Sequence, residues 1–250
     1  GFSWPPSWRQ LLMVSVLLGN GAVFCLFLGR MLEGPCRLAF VAPFVVSYFV
    51  AVISGIATMC VDPIDPLSAE DAGEPEEEDL DDVLYCARCD SDVYITSRHC
   101  FECNKCVAVF DHHCKWLNTC VGARNYAYFF SAVVATSVLL GVVSVASAML
   151  LAELVWRDFV HPSPKGDGPP PLGLVPWVRV AICAGVLVAD LACWLPLLML
   201  VAFQCYLCYL GTTTFDYITG KITLRREERE ARRAEAERPR RPRRWRPRRR

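Results

Sequence analysis

The sequence predicts an all-α membrane protein: four transmembrane helices, with a small two-zinc cysteine-rich domain between helices 2 and 3. Three observations carry that prediction. First, 54% of the 250 residues are hydrophobic, and they come in long blocks rather than alternating with polar ones. Second, four of the blocks reach about the 20 residues that a helix needs to cross a ~30 Å hydrocarbon core. Third, seven of the fourteen cysteines and three of the four histidines fall between Cys86 and Asn125.

Residues 1–61 hold the first two spans. Trp4, Trp8 and Arg9 suit the headgroup level ahead of helix 1, expected over about 11–29 with Asn20 as its one strongly polar residue. Gly29-Arg30 lacks the small-x-small pattern of a cleavage site, so this is a signal anchor rather than a cleaved signal peptide. Starting at Gly1 without a methionine, the sequence reads as a piece of a longer chain. A turn with Gly34 and Pro35 leads to helix 2, about 38–61, which carries no charge and has Pro43 near its start as a potential kink. Residues 62–83 follow as an acidic linker, with eleven acids and no base in 62–82, expected to be disordered.

Residues 84–125 form the cysteine-rich domain. Its pattern is Cys86-x2-Cys89-x9-His99-Cys100-x2-Cys103-x2-Cys106-x4-Asp111-His112-His113-Cys114-x5-Cys120. Paired cysteines beside histidines favour metal in a reducing compartment over disulfides. Structural zinc takes four ligands, and Cys86, Cys89, Cys100, Cys103, Cys106 and Cys120 with His99 and His113 suffice for two Cys3His tetrahedra. Asp111, His112 and Cys114 are left over. They are the parts of an activated nucleophile: a thiol, an imidazole to take its proton, a carboxylate to orient the imidazole. The alternative for Cys114 is a spare buried thiol.

Residues 126–210 hold helices 3 and 4, expected over about 128–154 and 178–203. An aromatic collar (Tyr126, Tyr128, Phe129, Phe130) opens helix 3, and its many small residues permit close helix packing. The loop from Trp156 to Trp177 has six prolines and a solvated His161. Asp190, inside helix 4, is expected to face the bundle as a helix-pairing residue. The net charge of zero hides segregation: residues 225–250 carry fourteen arginines against five glutamates. Beside bilayer-length segments such a tail suits anionic lipid, and no nucleic-acid partner is expected. Four spans place both ends and the cysteine-rich domain on one side, and the tail's arginines make that side cytosolic.

The run from Cys86 through Asn125 and Phe129, including Asp111-His112-His113-Cys114, resembles the cysteine-rich domain of the DHHC-type protein S-acyltransferases (palmitoyltransferases). The resemblance implies one zinc held by Cys86, Cys89, His99 and Cys106, and a second by Cys100, Cys103, His113 and Cys120. It implies that Cys114 takes a chain from fatty acyl-CoA (palmitoyl-CoA), with His112 as base and Asp111 orienting it, and passes it to cysteines of substrate proteins. A tapering acyl cavity is expected among the helices, with Lys115, Trp116 and Arg124 as candidate CoA contacts. Lys115 stands where most of the family has proline. In residues 211–224, Thr213-Thr214-Phe215-Asp216 is similar to the family's Thr-Thr-x-Glu motif, whose threonine contacts the catalytic acid; Asp216 replaces the glutamate. The family's C-terminal aromatic motif is not recognisable in Thr219 to Leu224. Family members commonly reside in endoplasmic reticulum and Golgi membranes, which is the expected location here.

A competing reading is a zinc-stabilised membrane adaptor or scaffold with little or no turnover. Such a protein needs the eight ligands but not Asp111, His112 and Cys114 together. A ubiquitin-ligase-like zinc domain fits the spacing poorly.

Overall fold

A computed structural model of the chain describes residues 6–69, 83–161 and 171–220. Among the described residues four helices are long and apolar enough to cross a membrane: α1 (Trp8–Met31), α2 (Gly34–Cys60), α3 (Tyr126–Val160) and α4 (Pro176–Leu210). Between α2 and α3 the described residues form six short strands: β1 (Val83–Cys86), β2 (Ser91–Tyr94), β3 (Arg98–Cys100), β4 (Lys105–Val107), β5 (His112–Cys114) and β6 (Thr119–Val121). They pair as three antiparallel hairpins, β1–β2, β3–β4 and β5–β6. A one-turn helix, α5 (Thr214–Ile218), follows α4. The predicted class, a four-helix membrane protein with the cysteine-rich domain between helices 2 and 3, is the observed one.

The helices start and stop where local chemistry permits. The Ser7 hydroxyl caps α1 by accepting from the Gln10 N–H, and α2 continues through Pro43. Gly211 ends α4 with φ 63°, a left-handed conformation that glycine adopts without strain. Helix α3 is the central one. It buries Leu139, Leu140, Val143 and Leu150 in one cluster with Phe24, Phe44 and Cys183 of its neighbours. At Gly141 a Cβ would lie 2.8 Å from the Trp194 ring, so α4 approaches α3 closely only because that side chain is missing. Asn20 donates to Asp190 at 3.1 Å inside the bundle, so Asp190 does pair two helices, α4 and α1.

One boundary needs correction. The linker expected to be disordered from residue 62 is packed structure as far as Ala69. Ile64 bridges Val107, the Ala108 N–H donates to Pro63 O, and the Asp65 N–H donates to Cys106 O. The Asp65 side chain is fully buried and accepts from the backbone of Leu67 and Tyr94 and from the Ser97 hydroxyl. Three donors to this carboxylate make up for the hydration that burial removes, which lets it leave the solvated run. The remainder of the linker (70–82), residues 162–170 of the loop, and the tail from residue 221 lie outside the described residues. His161 is exposed as expected, but its ring lies 4.4 Å from that of Trp156.

The hairpin domain sits at the end of the bundle where α1 begins, α2 ends and α3 begins. Asn125, the residue before α3, is fully buried and acts as the joint. Its Nδ2 donates to Cys120 O (2.9 Å), Thr58 O (3.1 Å) and, at 3.4 Å, Val61 O, while its Oδ1 accepts from the Gly122 N–H (2.9 Å).

Candidate metal sites and catalytic centre

Each hairpin is built alike. Cys86 pairs with Ser91, Cys100 with Lys105 and Cys114 with Thr119. Each turn passes through one residue with positive φ: Asp90, Asn104 or Asn118, types that tolerate the left-handed region. Cys86, Cys100 and Cys114 are therefore equivalent positions.

Two groups of ligand atoms result, and they divide as the resemblance implied: Cys86, Cys89, His99 and Cys106 in one, Cys100, Cys103, His113 and Cys120 in the other. Within each group all the ligand atoms lie within 4.8 Å of one another. Each histidine turns Nδ1 to its sulfurs, at 3.2 Å from Cys89 and 3.3 Å from Cys103 at the closest. The opposite nitrogen of His113, Nε2, meets Glu102 Oε2 at 2.9 Å, the outer carboxylate that commonly orients a metal-bound imidazole. The sulfurs cannot all ionise together unaided. A hydrogen bond from Cys120 holds the Cys103 thiol down to about 5, and the same contact pushes Cys120 up. Burial, then the neighbouring Cys86 and Cys89, push Cys106 up. Three thiolates and one imidazole converging in this way fit a structural zinc ion, whose charge lets every sulfur ionise.

The third hairpin differs. Leu117 stands where Cys89 and Cys103 stand in the other two, and Cys114 belongs to neither metal group. Its sulfur is buried with Leu117, Val121, Phe129 and Val133. Beside it, His112 Nδ1 lies 2.6 Å from Asp111 Oδ2. Burial opposes the His112 imidazolium, but the Asp111 carboxylate and the hydrogen-bonded Cys114 sulfur outweigh it and push the group up to about 9. The Phe129 ring meets the imidazole edge-on at 5.1 Å and limits its rotation.

Asp111 is itself held. Its Oδ1 accepts from the Thr214 N–H (2.8 Å) and its Oδ2 from the Thr214 hydroxyl (2.9 Å). Thr213 does not reach it. The Thr213 hydroxyl donates to Asp216 Oδ2 (2.9 Å) and accepts from the Asp216 N–H (3.2 Å), capping α5. That cap fixes the first turn of α5, so the Thr214 N–H is presented to the carboxylate. With Nδ1 committed to Asp111, the His112 ring keeps Nε2 for proton exchange.

A family model described as DHHC palmitoyltransferase matches residues 80–221, more than half of the chain. The chain belongs to the DHHC palmitoyltransferase family. No curated protein matches it. The matched range of this family member takes in both metal groups, the Asp111–Cys114 run, α3, α4 and α5.

The candidate CoA contacts of the family member sit at the surface. Lys115 Nζ lies 3.4 Å from Glu102 and is half exposed, as is Trp116; Arg124 is exposed too. The Ser7 hydroxyl donates to Lys115 O (2.9 Å), which ties the start of α1 to the turn beside Cys114. Sequence reasoning misses this tie, the role of Asn125 as the joint, and Gln204. The last has a signal: it is an isolated amide in an apolar stretch of helix 4.

Proposed function

We propose that the protein is a protein S-palmitoyltransferase. Cys114 takes a fatty acyl chain from acyl-CoA as a thioester, then passes it to cysteines of substrate proteins. The observation that carries this reading is a thiol outside both metal groups, next to an imidazole whose other nitrogen is fixed by a buried carboxylate.

In the first step His112 Nε2 takes the Cys114 proton as the sulfur attacks the acyl carbon. The bond to the CoA sulfur breaks, and the CoA thiolate leaves with the proton from His112. In the second step His112 takes the proton of the substrate cysteine, whose sulfur attacks the acyl carbon. Cys114 leaves as thiolate and is reprotonated. Asp111 holds the Nδ1 proton throughout. His113 cannot replace His112 because its Nδ1 faces the sulfurs and its Nε2 faces Glu102. Two structural zinc ions held by the eight Cys and His ligands supply rigidity to a domain too small for a core of its own.

An acyl chain is stabilised in hydrocarbon by about 0.8 kcal/mol per buried methylene, while the CoA phosphates need water and cations. Cys114 at the boundary between helices and hairpins suits both, with Lys115, Arg124 and Trp116 as the contacts for CoA. The hairpin domain faces the cytosol, the substrates are cytosol-facing or membrane-associated proteins, and the tail rests on anionic lipid. Endoplasmic reticulum and Golgi are the proposed membranes.

Intact-mass measurement of the purified protein with palmitoyl-CoA tests the reading. The expected product is a hydroxylamine-labile adduct that is lost in Cys114→Ser, with two zinc ions per chain retained. Equal labelling of wild type and Cys114→Ser removes the nucleophile assignment. A wild type that binds two zinc ions and never forms the adduct leaves the adaptor reading in its place.

A further inference from the structure

Gln204 lies near the end of α4 among apolar residues and is 1% exposed. A buried amide needs partners for both its ends, and Gln204 has them. Its Nε2 lies 3.4 Å from Thr214 Oγ1, and its Oε1 is 3.0 Å from the Tyr126 hydroxyl. That hydroxyl is also 3.3 Å from Cys208 Sγ, and Thr214 Oγ1 is 2.9 Å from Asp111 Oδ2. Cys208, Tyr126, Gln204, Thr214 and Asp111 thus form one continuous chain.

The direction of every link follows from Asp111. A carboxylate only accepts hydrogen bonds, and a threonine hydroxyl has a single proton to give. If that proton goes to Asp111, Thr214 Oγ1 must accept from Gln204, which turns Nε2 towards it. Gln204 Oε1 then faces Tyr126 and takes the phenol proton, so the Cys208 S–H donates to the phenol oxygen. With the amide reversed, Gln204 Oε1 would draw the Thr214 proton to itself. Asp111 Oδ2 would then keep only His112.

We propose that Gln204 is a positioning residue: by donating to Thr214 it commits the Thr214 hydroxyl to Asp111, and so holds Asp111 and His112 in place beside Cys114. This rests on the acyltransferase reading of Cys114. Gln204 touches neither the thiol nor the substrate and acts through Thr214 alone.

The test compares rates of adduct formation on Cys114 at saturating palmitoyl-CoA, by intact mass, with zinc content checked for each variant. Gln204→Met keeps the volume and removes the donor; its rate should fall about tenfold, the equivalent of one hydrogen bond, with the apparent KM for palmitoyl-CoA unchanged. Because Gln204 acts through Thr214, the double variant Gln204→Met with Thr214→Val should be no slower than Thr214→Val alone. A Gln204→Met protein at the wild-type rate overturns the inference, as do losses that multiply in the double variant. A wild type that forms no adduct brings down the acyltransferase reading itself. Full-rate Gln204 variants beside an active wild type overturn only the role of Gln204.

Discussion

Asn125 is the position where the hairpin domain can be loosened from the bundle without replacing any of the eight candidate metal ligands, Asp111, His112 or Cys114. Asn125→Ala removes two well-formed donated bonds, to Cys120 O and Thr58 O, and the bond accepted from the Gly122 N–H. At about 1 kcal/mol net for each neutral hydrogen bond, the loss is about 3 kcal/mol. For a chain of this size each kcal/mol moves the thermal midpoint by about 2–4 °C, so a fall of about 6–12 °C is expected. Asn125→Asp keeps the acceptor for Gly122 but points an oxygen at the carbonyls of Thr58, Val61 and Cys120, so it should fall further despite its identical shape. The assay is a thermal ramp in detergent followed by the monodisperse fraction, with zinc measured before heating. Both variants should start with two zinc ions. Midpoints within 2 °C of wild type for both would refute the idea that this residue joins the two parts.

Two further outcomes are expected. Asp65→Ala removes the acceptor for Leu67, Tyr94 and Ser97, and at about 1.5 kcal/mol or more for each bond to a charged group it should cost several kcal/mol; limited proteolysis should cut the β1–β2 hairpin sooner, and wild-type resistance would refute the anchor. Glu102→Gln weakens the partner of His113 Nε2 and should lower the affinity of one of the two metal sites by about tenfold, read by competition with a chelating dye; unchanged affinity at both sites would show the carboxylate to be incidental.

What sequence reading reaches, and where it stops, follows from how local each signal is. The four apolar blocks are local by nature, so helix count and class follow from composition alone. The eight candidate ligands are legible because a structural zinc ion would demand a fixed number of donors, and Cys114 emerges as the remainder. The fate of Asp65 is not local: in the sequence it is one acid among eleven in residues 62–82, and only the fold brings Tyr94 and Ser97 to it. The same limit applies to Thr213 and Thr214. The doublet is visible, but the turn of α5 decides that the second hydroxyl meets Asp111 while the first caps the helix. Gln204 is conspicuous in its apolar surroundings, yet its partners lie 78 residues before it in one case and 10 after it in the other. The likeness of the three hairpins is present as a spacing of fourteen residues between Cys86, Cys100 and Cys114, but ligand counting passes over it because Cys114, unlike Cys86 and Cys100, belongs to neither metal group.

The third hairpin bears on why Cys114 stands outside both metal groups. In the first hairpin the backbone N–H of Cys89, then that of Arg88, hold the Cys86 thiol below its ordinary range, as suits a sulfur that must ionise to bind a cation. The turn after Cys114 repeats the same register, with an aliphatic side chain in place of the second chelating thiol. After it β6 supplies Cys120 to the second metal group, and the chain then winds into α3. A scaffold of repeated turns thus leaves one turn without its second thiol, and Leu117 is the residue that keeps Cys114 outside both metal groups.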